Sequence, residues 1–186
     1  MTLKAANPEE HESKFHQLLQ KQVRSEFNAS QQYIALAVWF DKSDLPRLAA
    51  HFYKQALEER NHGMMIVRFL MDNDISVHIP AVDEVRNEFN EAREPVALAL
   101  EQEREVTREI EMLARTARAE DDYIGEQFMQ WFLKEQVEEV AQMSTLLTVV
   151  DRADGNLFEI ENFLAREQVG DDGEDPSAPE AAGGAV

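Results

Sequence analysis

Glu59 and His62 stand three residues apart in the stretch EERNH, Glu58 to His62. On a helix that spacing puts a carboxylate and an imidazole on one face. The pair by itself is an ordinary feature of solvated helix surfaces. It gains meaning from three other stretches. Glu26, Glu103, and the pair Gln136 and Glu139 each interrupt an apolar stripe of helical period. These groups would converge on one small volume. A buried carboxylate without a partner costs several kcal/mol or takes up a proton. The same stripes hold no Lys or Arg to neutralise it. A pair of cations would. Carboxylates with a single imidazole suit iron or manganese, with zinc and cobalt as mimics, and the chain has no thiolate for a structural zinc site.

Four long helices must carry these residues. The first is predicted from about Pro8 to Asp41, with stripe Phe15, Leu19, Gln22, Glu26, Ala29, Tyr33, Leu36, Phe40. A turn at 43–46 follows, with Asp44 read as a cap and Pro46 in the next first turn. The second helix runs to about Asn73 through Leu48, Phe52, Gln55, Glu59, His62, Ile66 and Phe69. Residues 74–94 contain ISVHIP and a charged run, and read as a connection without a dominant helix. A helix of about 28 residues is about 42 Å long. Some 20 extended residues reach up to roughly 65 Å. The connection can therefore cross the whole bundle and start the third helix parallel to the second. That helix is predicted from about Pro95 to Ala119, and the fourth from about Asp122 to Ala153, where Gly155 ends it. A short fifth helix, NLFEIENFLARE, spans 156–167. The reading is all-α: a four-helix bundle with one long crossover and a short fifth helix.

Composition bounds the rest. The 186 residues suffice for one domain, placed at 1–167. From Gln168 the chain is rich in Gly, Pro, Ala and acids, and reads as a flexible tail over 168–186. The net charge of −19 argues against nucleic acid and anionic membrane as partners and favours cations. Cysteine is absent, no apolar leader is visible, and the longest apolar run, Tyr33 to Phe40, is too short to span a bilayer. A soluble, cytoplasmic protein is expected.

On EERNH, Glu26, Glu103, EQFMQWFLKEQVEE and the closing NLFEIENFL, the chain resembles the ferritin family up to about Glu167. It is most similar to haem-free prokaryotic ferritins of the actinobacterial type. A bacterioferritin would carry a second Glu-x-x-His on the fourth helix, where this chain has Gln136 and Glu139. It would also have a haem-ligating Met after the second-helix Glu, where this chain has Arg60, so no haem is expected. The resemblance implies a ferroxidase with a di-iron centre. Glu26, Glu59 and His62 would hold one iron, and Glu59 would bridge to a second held by Glu103 and Glu139. Gln136 would lie beside them. Glu58, Glu135 and Glu138 would join Glu139 at a third iron site, although they flank the stripe and fit a solvated helix edge equally well. Tyr33 would support the centre, and Trp131 would stand near it as an electron donor; both also fit plain packing. The resemblance further implies a hollow cage of 24 identical subunits, Fe(II) oxidised by O2 or peroxide, and storage as a ferric oxyhydroxide. Glu120, Asp121, Asp122 and Glu126 could line its three-fold channels.

The residues also bear on other functions. A metal-free scaffold would place Leu or Ala where the inner acids stand. A DNA-protecting miniferritin would build its site between subunits and lack the fifth helix. A rubrerythrin-like protein would carry a Cys-ligated iron domain, which a chain without cysteine cannot have.

Overall fold

A computed structural model describes residues 13–166 and 175–186. Five helices form, α1 (Lys14–Lys42), α2 (Pro46–Asp72), α3 (Arg93–Ala119), α4 (Tyr123–Ala153) and α5 (Leu157–Arg166), with no strand among the described residues. The bundle with a long crossover and short fifth helix is as the periodicity implies.

Three details differ from the reading: the start of α1, the cap of α2 and the start of α3. α1 begins at Lys14 because Ser13 is extended and its hydroxyl accepts from the His16 N–H. Residues 8–12 lie outside the described residues. Glu120, from the α3–α4 junction, also accepts from the Lys14 and Phe15 N–H groups at the same helix end. Asp44 does not cap α2. It takes the left-handed conformation, as do Asp74, Asp121 and Asp154, so one aspartate turns the chain after each long helix. The free N–H groups at the start of α2 instead donate to Glu161 of α5, at 3.0 Å from both Arg47 and Leu48. α3 starts two residues before Pro95.

α1 packs along α2, α3 along α4, and α1 meets α3. Two apolar clusters fill the bundle. One holds Tyr33, Leu36, Phe40, Leu48, Phe52, Val96, Leu100 and Leu146; the other holds Phe15, Leu19, Ile66, Leu70, Ile110, Leu113, Met129 and Phe132. The starts of α2 and α3 share the first cluster, so these helices run parallel, as the crossover requires. Between the clusters lies a layer of buried acids.

The crossover is fastened to one polar stripe of α1. Gln20, Arg24, Asn28 and Gln32 recur every four residues and so share a helix face. The Gln32 amide donates to the Arg86 carbonyl and accepts from the Arg86 N–H, both at 2.8 Å. Asn28 binds the Asp83 N–H and carboxylate, Arg24 pairs with that carboxylate, and Gln20 binds the main chain at Ser76 and His78.

The tail is not free where it is described. Residues 168–174 lie outside the described residues. From Asp175 the chain lies against α2 and α4. The Trp131 indole N–H donates to Asp175 at 3.1 Å, the Ala182 N–H donates to the Met64 carbonyl at 3.0 Å, and Val186 pairs with Asn61. Ala182 is buried, with Ala178 and Ala181 half-buried on the second cluster. Small side chains let this main chain approach the helices closely. No helix among the described residues is long and apolar enough to cross a membrane.

Candidate metal centre

Each bundle helix delivers one carboxylate to the layer between the clusters: Glu26 from α1, Glu59 from α2, Glu103 from α3 and Glu139 from α4. All four, with His62, Gln136 and Tyr33, are between 0% and 4% exposed. The stripe arithmetic therefore points these side chains inward. A close approach of α1 and α2 at this level depends on Gly63. A Cβ there would sit 2.7 Å from the Phe27 ring and 3.4 Å from Glu26 Cβ.

The hydrogen bonds in the layer are incomplete in a consistent way. Gln22 donates to one Glu26 oxygen at 3.0 Å, and the Tyr33 hydroxyl donates to one oxygen of Glu103. The other oxygen of each, together with one oxygen of Glu59 and one of Glu139, has no hydrogen-bond partner. One unpartnered carboxylate oxygen thus comes from each of four helices. His62 Nδ1 lies 3.5 Å from Glu59, and its ring packs edge-on against Trp131 and Phe132, which fixes its plane. Glu26, Glu59 and His62 each offer a ligand atom within 4.8 Å of the others. Among the described residues this is the set compact enough for a single ion to touch three side chains.

The electrostatics agree. Burial pushes Glu26, Glu59 and Glu139 well above the usual carboxyl range, and repulsion between neighbouring acids adds to it: Glu59 acts on Glu26, and Glu103 acts on Glu59 and on Glu139. Glu103 is pushed up to about 7 by burial, against the opposing pull of the Tyr33 hydroxyl. Burial and the Glu103 charge likewise raise the Tyr33 hydroxyl. Both effects favour the protonated carboxyl over the bare carboxylate at these positions. Oxygen donors with one imidazole fit iron, and the unpartnered oxygens fit a cation better than they fit an apolar core.

Glu58, Glu135 and Glu138 stand at the edge of this layer. Glu58 and Glu135 are half-buried and raised by desolvation; Glu58 accepts from Gln55 and lies 3.5 Å from Lys54. Glu138 is exposed, 3.7 Å from Lys134. The acids at the α3–α4 junction have local work. Glu120 caps α1, Asp122 caps α4 by accepting from Gly125, and Glu126 pairs with Arg118. Arg60 is half-buried on α2. Thr107, absent from the residues that the stripes single out, touches Gln136 with its hydroxyl at 2.9 Å. A mid-helix threonine off the apolar stripe carries no signal of its own.

A family model described as a ferritin-like domain matches residues 16–153. Ferritin BfrB of Mycolicibacterium smegmatis is 62% identical over 175 residues, which cover 94% of this chain and 96% of the relative. Ferritin BfrB of Mycobacterium tuberculosis is 59% identical over 172 residues, covering 92% and 94%. A bacterial non-heme ferritin of Staphylococcus aureus is 36% identical over 134 residues, covering 72% and 81%. Among solved structures, an open-pore ferritin from Archaeoglobus fulgidus aligns with TM-score 0.78 at 25% identity, covering 84% of this chain and 99% of that one. A humanized archaeal ferritin aligns at 0.80 with 23% identity, covering 86% and 99%, and speaks to the fold alone. With the domain match spanning most of the bundle and near-full-length relatives about three-fifths identical, the chain belongs to the ferritin family.

Proposed function

We propose that this protein takes up Fe(II), oxidises it at the buried acid layer and stores it as a ferric oxyhydroxide inside a cage of identical subunits, in the cytoplasm. The observation that carries the reading is the set of unpartnered carboxylate oxygens, one from each bundle helix, beside a single imidazole. Iron is here the substrate and the cargo. Glu26, Glu59 and His62 hold one Fe(II). Glu59 reaches across to a second, held also by Glu103 and Glu139. Each Fe(II) gives up one electron; O2 takes both with two protons to form H2O2, or H2O2 takes both with two protons to form two waters.

The chain's own part is spacing, charge and dryness. The four carboxylates release their protons as the cations enter. Hard anionic oxygens favour the ferric product. Tyr33 holds Glu103 through its hydroxyl, Gln22 holds Glu26, and Gln136 lines the layer beside Glu103. Glu58, Glu135 and Glu138, with Glu139, form a third iron position at the edge, through which product leaves the layer. Trp131 packs edge-on against His62 and holds its ring beside the layer.

The test is oxidation itself. Fe(II) is added without oxygen to the metal-free protein, O2 is admitted, and ferric absorbance is followed by stopped flow. A fast phase saturating at about two irons per chain, absent from a Glu59→Ala/His62→Ala variant, is expected. Oxidation no faster than buffer in both proteins would defeat the reading.

A further inference from the structure

Thr107 lies one turn beyond Glu103 on α3, half-buried and facing α4. Its Oγ1 stands 2.8 Å from the Glu103 main-chain oxygen and 2.9 Å from Gln136 Oε1. Both are acceptors, yet a hydroxyl owns one hydrogen. The Glu103 carbonyl already receives the Thr107 N–H within the helix. The hydroxyl hydrogen is therefore free to go to Gln136 Oε1, leaving the amide nitrogen as the atom that acts on the Glu103 carboxyl.

The same three groups also fit the reverse. An amide's nitrogen and oxygen exchange places with almost no change of shape. Turned over, the Gln136 nitrogen donates to the Thr107 oxygen, and the Thr107 hydrogen swings to the Glu103 carbonyl. Both nitrogen and hydroxyl keep a partner in either state. Only the atom shown to the acid layer changes. Gln136 is 3% exposed, so without such a partner one end of its amide would be left buried and unpaired.

We propose that Thr107 is a positioning residue whose hydroxyl lets Gln136 present its N–H to the acid layer when that layer is empty and its carbonyl oxygen when cations fill it. An N–H suits the cation-free Glu103 side chain, whose carboxyl oxygen accepts it whether or not the group carries a proton. It is repelled once cations take the carboxylate lone pairs, whereas an oxygen attracts the cation or a water bound to it. The inference rests on the cation-binding reading of the layer and adds to it a group that exchanges donor for acceptor.

Co(II) binding tests it without any turnover. Metal-free assembled protein is titrated with Co(II), followed by calorimetry and by the visible absorption of the bound ion. Thr107→Val keeps the shape and removes the hydroxyl; it is expected to weaken binding about tenfold and to shift the visible band. Thr107→Ser should recover both. In a Gln136→Leu background, Thr107→Val should add nothing. Binding by T107V equal to wild type would overturn the proposal, as would failure of serine to recover it. A loss undiminished in the Gln136→Leu background would show that Thr107 acts through packing instead, and would overturn it too. If T107V fails to assemble, Thr107→Ala completes the same cycle. Wild type that binds no Co(II) would sink the cation-site reading itself, and is thereby distinguished from a failure of the Thr107 role.

Discussion

Raising the pH should loosen the cation-free protein, and Glu103 sets the scale. In the unfolded chain its carboxyl titrates near the ordinary 4.5; burial in the bundle pushes it up to about 7. The folded chain therefore binds more protons than the unfolded one between these values. That contribution to stability is fully present below the unfolded pKa and is lost as the pH rises through the folded one. At 1.36 kcal/mol per unit the loss is on the order of 3 kcal/mol. Glu26, Glu59 and Glu139 are displaced in the same direction, so their contributions carry the same sign. A Glu103→Gln chain has no proton to lose at that position. For a chain of this length about 1 kcal/mol moves Tm by roughly 2–4 °C, so the wild type should fall by roughly 6–12 °C relative to the variant between about pH 5 and about pH 8. Both proteins would be stripped with chelator and melted at equal chain concentration, with far-UV circular dichroism as the signal. Zn(II) added at the upper pH should reverse the wild-type loss, because a cation replaces the protons. A gap between wild type and variant that does not change with pH would refute the argument. Glu103 would then be solvated or paired with a positive charge rather than buried among acids.

Two further substitutions probe the scaffold around the layer. Gly63→Ala would drive a methyl into the Phe27 ring at 2.7 Å and should push α1 from α2 beside Glu26, costing about 1–3 kcal/mol in a denaturant melt. An unchanged midpoint would mean that the ring simply moves aside. Asp175→Ala removes the acceptor of the Trp131 indole. In a Trp39→Phe background the remaining tryptophan emission should move to the red as the tail lifts; no shift would mean that the alanines alone hold the tail in place.

Much of the layer was legible because helical period is rigid. Glu26, Glu59, Glu103, Gln136 and Glu139 fall in step with Leu, Ile and Phe, and a residue in step with the core must point into it. The crossover could be inferred from its length against the length of α2. Contacts made across the fold were not legible. Asp44 has the chemistry of a cap, but the N–H groups of α2 found Glu161, more than a hundred residues away. The Ala- and Gly-rich tail looks featureless by composition, since its docking depends on smallness and on one aspartate meeting one indole. Thr107 is silent because its partner lies on another helix. The signal that could have been used is the polar stripe Gln20, Arg24, Asn28, Gln32, whose period of four marks a helix face reserved for something polar.

That stripe gives the crossover an unusual freedom. Gln20 and Gln32 grip peptide groups, not side chains, and Asn28 takes the Asp83 N–H as well as its carboxylate. A helix edge here does what a neighbouring strand does in a sheet: it reads the backbone. The identities of Ser76 and His78 then matter little to these contacts, provided that the gripped His78 N–H is kept, whereas Arg86 also holds the segment through its side chain, which pairs with Glu94 and lies over the Phe89 ring. Drift at Ser76 and His78 would leave these contacts intact, whereas loss of a glutamine from α1 would remove two of them at once. The outward-facing sequence of the bundle can diversify in this way without disturbing the register of α3, and with it the placement of Glu103.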